Sequence, residues 1–292
     1  MTLRDIVNTI GGDLYAGGRR ANVPAPGHSA ADRSVSLLFE QGRVVAHCFG
    51  EGDWRTVLDD LRRRRLIDAL NRPTSGASVE RLAPTVTDQA RQAAVQRLWP
   101  AARPVVRTLA ERYLRLRRID RTLPGPEVAR FLPETPTAVY APVSWTRPAL
   151  LLAIRDPEGR LSGLEITYLA PNGRRALDLR LSRKTVGQVP SSSAVRIDAP
   201  GSEMLVAEGF LTTLSATEHF GLPGWALLST RNLRGWLPPA GVSRVLIAGD
   251  RGRDGEASAH RLRGRLLRAG FSAAVSLPPA PWGDWNDWAG RS

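Results

Sequence analysis

Apolar positions along the chain fall into three successive patterns. In the first, short strand-like runs alternate with turn residues. Val35–Phe39 and Arg43–Phe49 read as two strands joined by Glu40-Gln41-Gly42, which predicts a hairpin. Leu3–Ile10 is a short amphipathic stretch closed by Gly11-Gly12. Trp54–Ala69 has Val57, Leu58, Leu61 and Leu66 on one helical face, with Asp53 placed to cap it. Polar and helix-breaking residues from Asn71 onward then predict a linker over 71–85.

The second pattern is helical, then extended. Thr87–Trp99 and, after Pro104, Val105–Arg118 read as helices. Pro124–Pro148 reads as a proline-punctuated connection. Ala149–Arg155 and Leu161–Leu169 follow as strands, with turns at Asp156-Pro157-Glu158-Gly159 and Pro171-Asn172-Gly173, the signal of a β-meander.

In the third pattern the apolar runs are continuous. Leu205–Ala207 and Val245–Ala248 each lead into a carboxylate, Glu208 or Asp250, with glycine close by. Such runs predict parallel strands covered on both faces. Thr212–Phe220 and Glu256–Ala269 read as the intervening and following helices, so the stretch is an α/β unit with a parallel sheet. Glu208 and Asp250 are then expected together at the C-terminal edge of that sheet, where open α/β sheets hold ligands. The fold class is α/β (α+β overall), in three units: a small β-hairpin/helix unit over 1–75, a mixed basic subdomain over 76–200 and the parallel unit over 201–292.

Charge narrows the partners. The 292 residues carry a formal net charge of +13, as expected of a polyanion binder. Lys184 is the sole lysine, so an arginine-biased, GC-rich genome would give part of the same excess. Arg174, Arg175, Arg180, Arg183, Lys184 and Arg196 crowd around the meander, and Arg115, Arg117 and Arg118 close the helix before it. No apolar run approaches the roughly 18 residues of a membrane span, so no membrane contact is expected. The N-terminus lacks the charge and apolar core of a secretory signal. Cys48 is the only cysteine, which excludes an intramolecular disulfide and suits a reducing cytoplasm. His219 and His260 have no ligand company in sequence and read as surface or packing residues. Trp282, Trp285 and Trp288 read as core or lid packing, with base stacking as the alternative.

Glu208-Gly209-Phe210-Leu211-Thr212-Thr213-Leu214-Ser215-Ala216 resembles the glutamate motif of Toprim domains, in the form found in primases of plasmids, phage satellites and conjugative elements. Asp250–Gly255 resembles the Asp-x-Asp-x-x-x-Gly region of that domain, and Gly283-Asp284-Trp285-Asn286-Asp287 its third acidic motif. The resemblance covers 201–292. It departs at Gly252, where the second aspartate would stand; either Asp254 supplies that carboxylate from two residues further on, or one metal site is weakened. Tyr113-Leu114-Arg115-Leu116-Arg117-Arg118-Ile119 resembles the Tyr-Leu-x-x-Arg-Gly-Ile helix end of the primase core, with Arg118 in place of glycine. The first unit resembles a primase zinc ribbon that has lost ligands. His28 and Cys48 remain, while Ala25 and Gly52 occupy the other two positions, so zinc is not expected. Cys48 then reads as a small core residue and His47 as a surface one.

The resemblance implies a DNA primase-like nucleotidyltransferase. It would use Mg²⁺ or Mn²⁺, a single-stranded DNA template and nucleoside triphosphates, with a separate helicase as a possible partner, in replication or transfer of a mobile element. Glu208 and Asp250 are the implied catalytic residues. Glu208, Asp250, Asp254, Asp284 and Asp287 are the candidate metal ligands, with Asn286 a further oxygen donor. Lys184, Arg196, Gly209 and Gly255 are the candidate nucleotide- or nucleic-acid-binding residues. No helicase segment or docking domain is expected after the third motif. A Toprim nuclease and a DNA-binding accessory protein without catalysis are the competing readings. A topoisomerase is disfavoured, because Tyr15, Tyr113, Tyr140 and Tyr168 lack a nucleophile's setting.

Overall fold

A computed structural model describes residues 3–29, 32–49, 53–74, 86–141, 144–179 and 181–291. By its contacts the chain divides into Met1–Val86 and Thr87–Ser292. Residues 75–85, most of the expected linker, lie outside the described residues.

In the first unit, α1 (Leu3–Ile10) precedes strands β1 (Asp13–Tyr15), β2 (Arg20–Val23), β3 (Val35–Glu40) and β4 (Arg43–Cys48), which form an antiparallel sheet in that order. The expected hairpin is β3–β4. Its turn residues Gln41 and Gly42 both have positive φ, 49° and 78°, as a tight two-residue turn requires. Helix α2 (Trp54–Arg63) is capped by the Asp53 carboxylate, which accepts from the Arg55 N–H. It ends six residues before the predicted Ala69, because Arg65 takes a left-handed φ of 56°. Leu3, Ile6, Leu37, Val44, Leu58 and Leu61 form the core, and Cys48 packs partly buried against it.

In the second unit, α3 (Asp88–Ala101), β5 (Arg103–Pro104) and α4 (Leu109–Leu116) lead into β6 (Ala129–Pro136), β7 (Thr146–Arg155), β8 (Leu161–Tyr168) and β9 (Arg183–Gly187). The five strands form an antiparallel sheet in order β5-β6-β7-β8-β9. Strand β6 lies inside the stretch expected to be a connection. Its prolines hid it. The register shifts between Leu132 and Thr135, a bulge that lets Pro133 sit in a strand without breaking the ladder. Helix α4 starts at Leu109, not Val105, because the Thr108 hydroxyl caps it from the Ala110 N–H.

A second sheet follows. It comprises β10 (Val195–Arg196), β11 (Glu203–Ala207), β12 (Gly224–Ala226), β13 (Arg244–Ala248) and β14 (Ser272–Ser276), in order β10-β12-β11-β13-β14. All neighbours are parallel except β10–β12. Helices α5 (Phe210–Phe220), α6 (Thr230–Gly235), α7 (Arg253–Arg268) and α8 (Trp285–Ala289) complete it.

One face of the antiparallel sheet packs on α3 through Val95, Leu98, Leu151, Leu164, Ile166 and Tyr168. The other carries Leu150, Leu152 and Ile154 into a core with Leu114 of α4 and with Phe210, Leu214 and Ala226 of the parallel unit. The two sheets therefore share one apolar interior.

Candidate metal and nucleotide site

Strands β11 and β13 run side by side in register, with Ala207 opposite Ala248. Glu208 and Asp250 consequently leave the sheet at the same edge. Burial is the chief reason the Glu208 carboxyl lies above its ordinary range; Asp254 adds repulsion, and the Thr230 backbone N–H opposes it. Asp250 is pushed up to about 7, first by burial and then by Glu208, Asp284 and Asp287. Its Oδ1 is buried and has no hydrogen-bond partner among the described residues.

The third acidic motif is tied alongside. The Arg251 backbone N–H donates to the Gly283 carbonyl at 2.7 Å. Asp284 caps α8, its Oδ1 accepting from the Asn286 and Asp287 N–H groups at 2.8 Å each. Asn286 is buried and serves as a clamp, because its Oδ1 accepts from Arg117 Nε at 2.7 Å. Its amide nitrogen donates to the Arg117 carbonyl at 2.7 Å and to Ser215 Oγ at 3.0 Å. Every polar atom of that side chain is engaged in a protein hydrogen bond. Asp287 lies 3.5 Å from Arg117 Nη2. Asp254 is exposed and paired with Arg234.

Glycines shape the loop before α7. Gly252 has φ 113° and ψ 155°, a backbone region open essentially to glycine alone. An aspartate at this position would be strained in the loop as it stands. A Cβ on Gly255 would come within 2.6 Å of the Asp250 carbonyl oxygen.

Beside the carboxylates lies a cleft of about 370 Å³. Tyr113 and Arg117 of α4, Arg174 and Arg175, Arg183 at the start of β9, and Gly209 and Thr212 at the N-terminus of α5 line it, with Asp284 at its margin. Buried Glu165 on β8 lies within electrostatic reach of Arg183 and Tyr113; burial raises its carboxyl and Arg183 opposes the rise.

Two of the expected basic residues lie elsewhere. Lys184 pairs with Ile166 across the ladder, so it shares the α3-facing side of the sheet, opposite to Arg183. Its ammonium donates to the Thr137 carbonyl at 2.6 Å and sits over the Tyr168 ring, and burial draws its pKa down to about 8. Arg196 donates to the Asp156 and Pro157 carbonyls and stacks on Trp225, bracing the β7–β8 turn. Sequence alternation alone gave no means of choosing Arg183 over Lys184; the choice depends on register with β8. Trp285 and Trp288 pack with His219 and Phe220, while His260 is exposed.

Residues 203–292 match the family described as Toprim domain. The C-terminal unit is a Toprim domain. Residues 89–197 match a domain of unknown function, DUF7146. No curated protein matches the chain. Among solved structures, the chain is similar to the Aquifex aeolicus primase zinc-binding and RNA polymerase domains, at 15% identity and TM-score 0.48, over 99% of this chain and 79% of that one. It is similar to a DnaG primase catalytic domain bound to single-stranded DNA at 14% identity and TM-score 0.47, over 68% and 73%. It is similar to the primase fragment of the bacteriophage T7 primase-helicase at 16% identity and TM-score 0.37, over 48% of this chain and 57% of that fragment.

The Toprim carboxylates suit a hard divalent cation. All donors are oxygens, and the orphaned Asp250 Oδ1 is a buried acceptor waiting for a positive partner. Among the described residues no three acidic, His or Cys side chains form a preformed cage. Mg²⁺ does not need one, since it keeps several waters and is held through one or two carboxylates plus substrate phosphates. Asp250, with Glu208, Asp284 and Asp287 around it, is the set that would hold the ion.

In the first unit the ribbon-like loop is gathered by Asp32. Its carboxylate accepts from the Ala25 and Ser34 N–H groups and the Ser34 hydroxyl, and His28 Nδ1 lies 3.0 Å away. The Ser34 hydroxyl leads the bonds that hold Asp32 down to about 2. His47 is exposed against Phe49. Gly52, the other lost ligand position, and Arg180 lie outside the described residues. Among the described residues no helix is long and apolar enough to cross a membrane.

Proposed function

We propose that residues 87–292 act as a primase-type nucleotidyltransferase, making short primers on single-stranded DNA from nucleoside triphosphates with Mg²⁺ or Mn²⁺. One observation carries the reading: a cleft walled by Arg117, Arg174, Arg175 and Arg183 abuts a half-buried carboxylate cluster in a Toprim domain. Arginines take polyphosphate, and carboxylates take the cations that accompany it. The N-terminus of α5, presented to the cleft at Gly209, adds the positive end of a helix and free N–H donors.

Primer extension joins a 3′-hydroxyl to the α-phosphorus of a triphosphate and releases pyrophosphate. When bound, divalent ions would supply neutralisation of the charge that develops on the transferring group. The chain's own residues do the rest. Arg174, Arg175 and Arg183 fix the triphosphate. Glu208, held above its ordinary carboxyl range by burial, is placed to accept the hydroxyl proton. The resemblance of the acidic motifs to mobile-element primases suggests the setting, replication or transfer of such an element, with a helicase as partner.

Gly252 and the Asp254–Arg234 pair favour a second reading, a Toprim protein that binds DNA without catalysis. Primer synthesis separates the two. Labelled nucleotides, single-stranded DNA and either ion should give short products that vanish in Glu208→Ala and Asp250→Ala. Retained DNA binding with no product under either ion would reject the enzyme and support the accessory protein. Shortened template would indicate a nuclease.

A further inference from the structure

The geometry points to Arg117 as a positioning residue that links the arginine-lined cleft to the acidic cluster by holding Asn286. This inference rests on the divalent-ion reading of the cluster. Arg117 ends α4 and lines the cleft. The same residue clasps Asn286 twice, once through its guanidinium Nε and once through its carbonyl. Asn286 sits between Asp284 and Asp287 on α8, a helix of only five residues. So short a helix has little stability of its own. The clasp to α4, the Asn286–Ser215 bond to α5 and the packing of Trp285 hold it in place. The positions of Asp284 and Asp287 beside Asp250 follow from that clasp.

Coulomb attraction alone makes the opposite forecast. Arg117 is a cation 3.5 Å from the Asp287 carboxylate, so deleting its charge should tighten binding of a divalent cation. A positioning role means deletion weakens it, by about tenfold, as loss of outer-shell partners commonly does. Arg117→Lys keeps the charge but cannot reproduce the Nε donor, so it too should weaken binding. Arg183→Gln removes a cleft cation with no bond to α8 and should leave ion affinity unchanged or tighter.

The experiment is Mn²⁺ titration without nucleotide, followed by electron paramagnetic resonance. It uses the full chain, Arg117→Gln, Arg117→Lys and Arg183→Gln, with hydrogen exchange of the α8 amides measured on the same samples. Weaker Mn²⁺ binding in both Arg117 variants and not in Arg183→Gln, with faster α8 exchange, is the expected result. Equal or tighter Mn²⁺ binding in Arg117→Gln overturns the inference and leaves the ion site standing. A wild-type chain that binds no Mn²⁺ overturns the ion reading, and with it the part of the inference that rests there. In that case unchanged α8 exchange in Arg117→Gln also removes the clasp.

Discussion

Gly255 sits so close to Asp250 that a Cβ would lie 2.6 Å from the Asp250 carbonyl oxygen. The first turn of α7 can approach the end of β13 only because that Cβ is missing. Gly255→Ala should force the helix and the acidic loop apart, costing about 1–3 kcal/mol as overpacking does. Thermal unfolding reads the stability loss, and Mn²⁺ titration should show weakened binding. Restoring the family's second carboxylate with Gly252→Asp should fail to tighten Mn²⁺, since φ 113° strains any side chain.

Asp250 makes the ion-free protein sensitive to pH. Its folded pKa of about 7 lies above the ordinary aspartate value of 3.8, so the folded state binds the extra proton between those values. The contribution of this group is therefore fully present in acid and is lost as pH rises through 7, by on the order of 4 kcal/mol. Asp250→Asn should flatten this part of the profile, raise the melting temperature at pH 8 in chelator and abolish Mn²⁺ binding.

Arg183 and Lys184 are neighbours in sequence on opposite faces of one strand. Arg183→Gln should weaken triphosphate binding by about 1.5–3 kcal/mol, the range of a charged hydrogen bond. Lys184→Met should leave that affinity alone. It should instead remove a rise in stability between pH 8 and 10.5, the window in which the unfolded chain holds a proton that folded Lys184 has released. Calorimetric titration of a nucleotide and melts across pH check both. A fall in nucleotide affinity in Lys184→Met would contradict the placement.

Arg118 has φ 57° in the helix-closing turn, with the Ile119 N–H donating to the Leu114 carbonyl and the Arg118 N–H to that of Arg115. This is the left-handed closure that glycine favours. Arg118→Gly should stabilise the chain by about 0.5–1 kcal/mol, the left-handed strain removed less the extra freedom of unfolded glycine. Chemical denaturation would measure it.

The parallel unit was legible through two of its strands, β11 and β13, whose apolar cores Met204–Ala207 and Val245–Ala248 each lead into a carboxylate; the placing of Glu208 and Asp250 at one edge follows from that. Strand β12 was not legible: at three residues, Gly224–Ala226, it has no period to detect. Strand β6 was masked by Pro133 and Pro136. The Arg117–Asn286 clasp joins residues 169 apart, and nothing local in either segment announces it. The place of Asn286 between two aspartates suggested an oxygen donor; its hydrogen bonds to Arg117 and Ser215 could not be read from the sequence.

The shared interior has a consequence for how the protein can move and be divided. Phe210 and Leu214 of the Toprim domain are packed into the same core as Leu150, Leu152 and Ile154 of the preceding sheet. The cleft is thus carved into a single cooperative body and is not a gap between two hinged lobes. Residues 87–292 should melt in one transition, and a fragment cut at residue 200 should leave each half with an unsated apolar face and a tendency to aggregate.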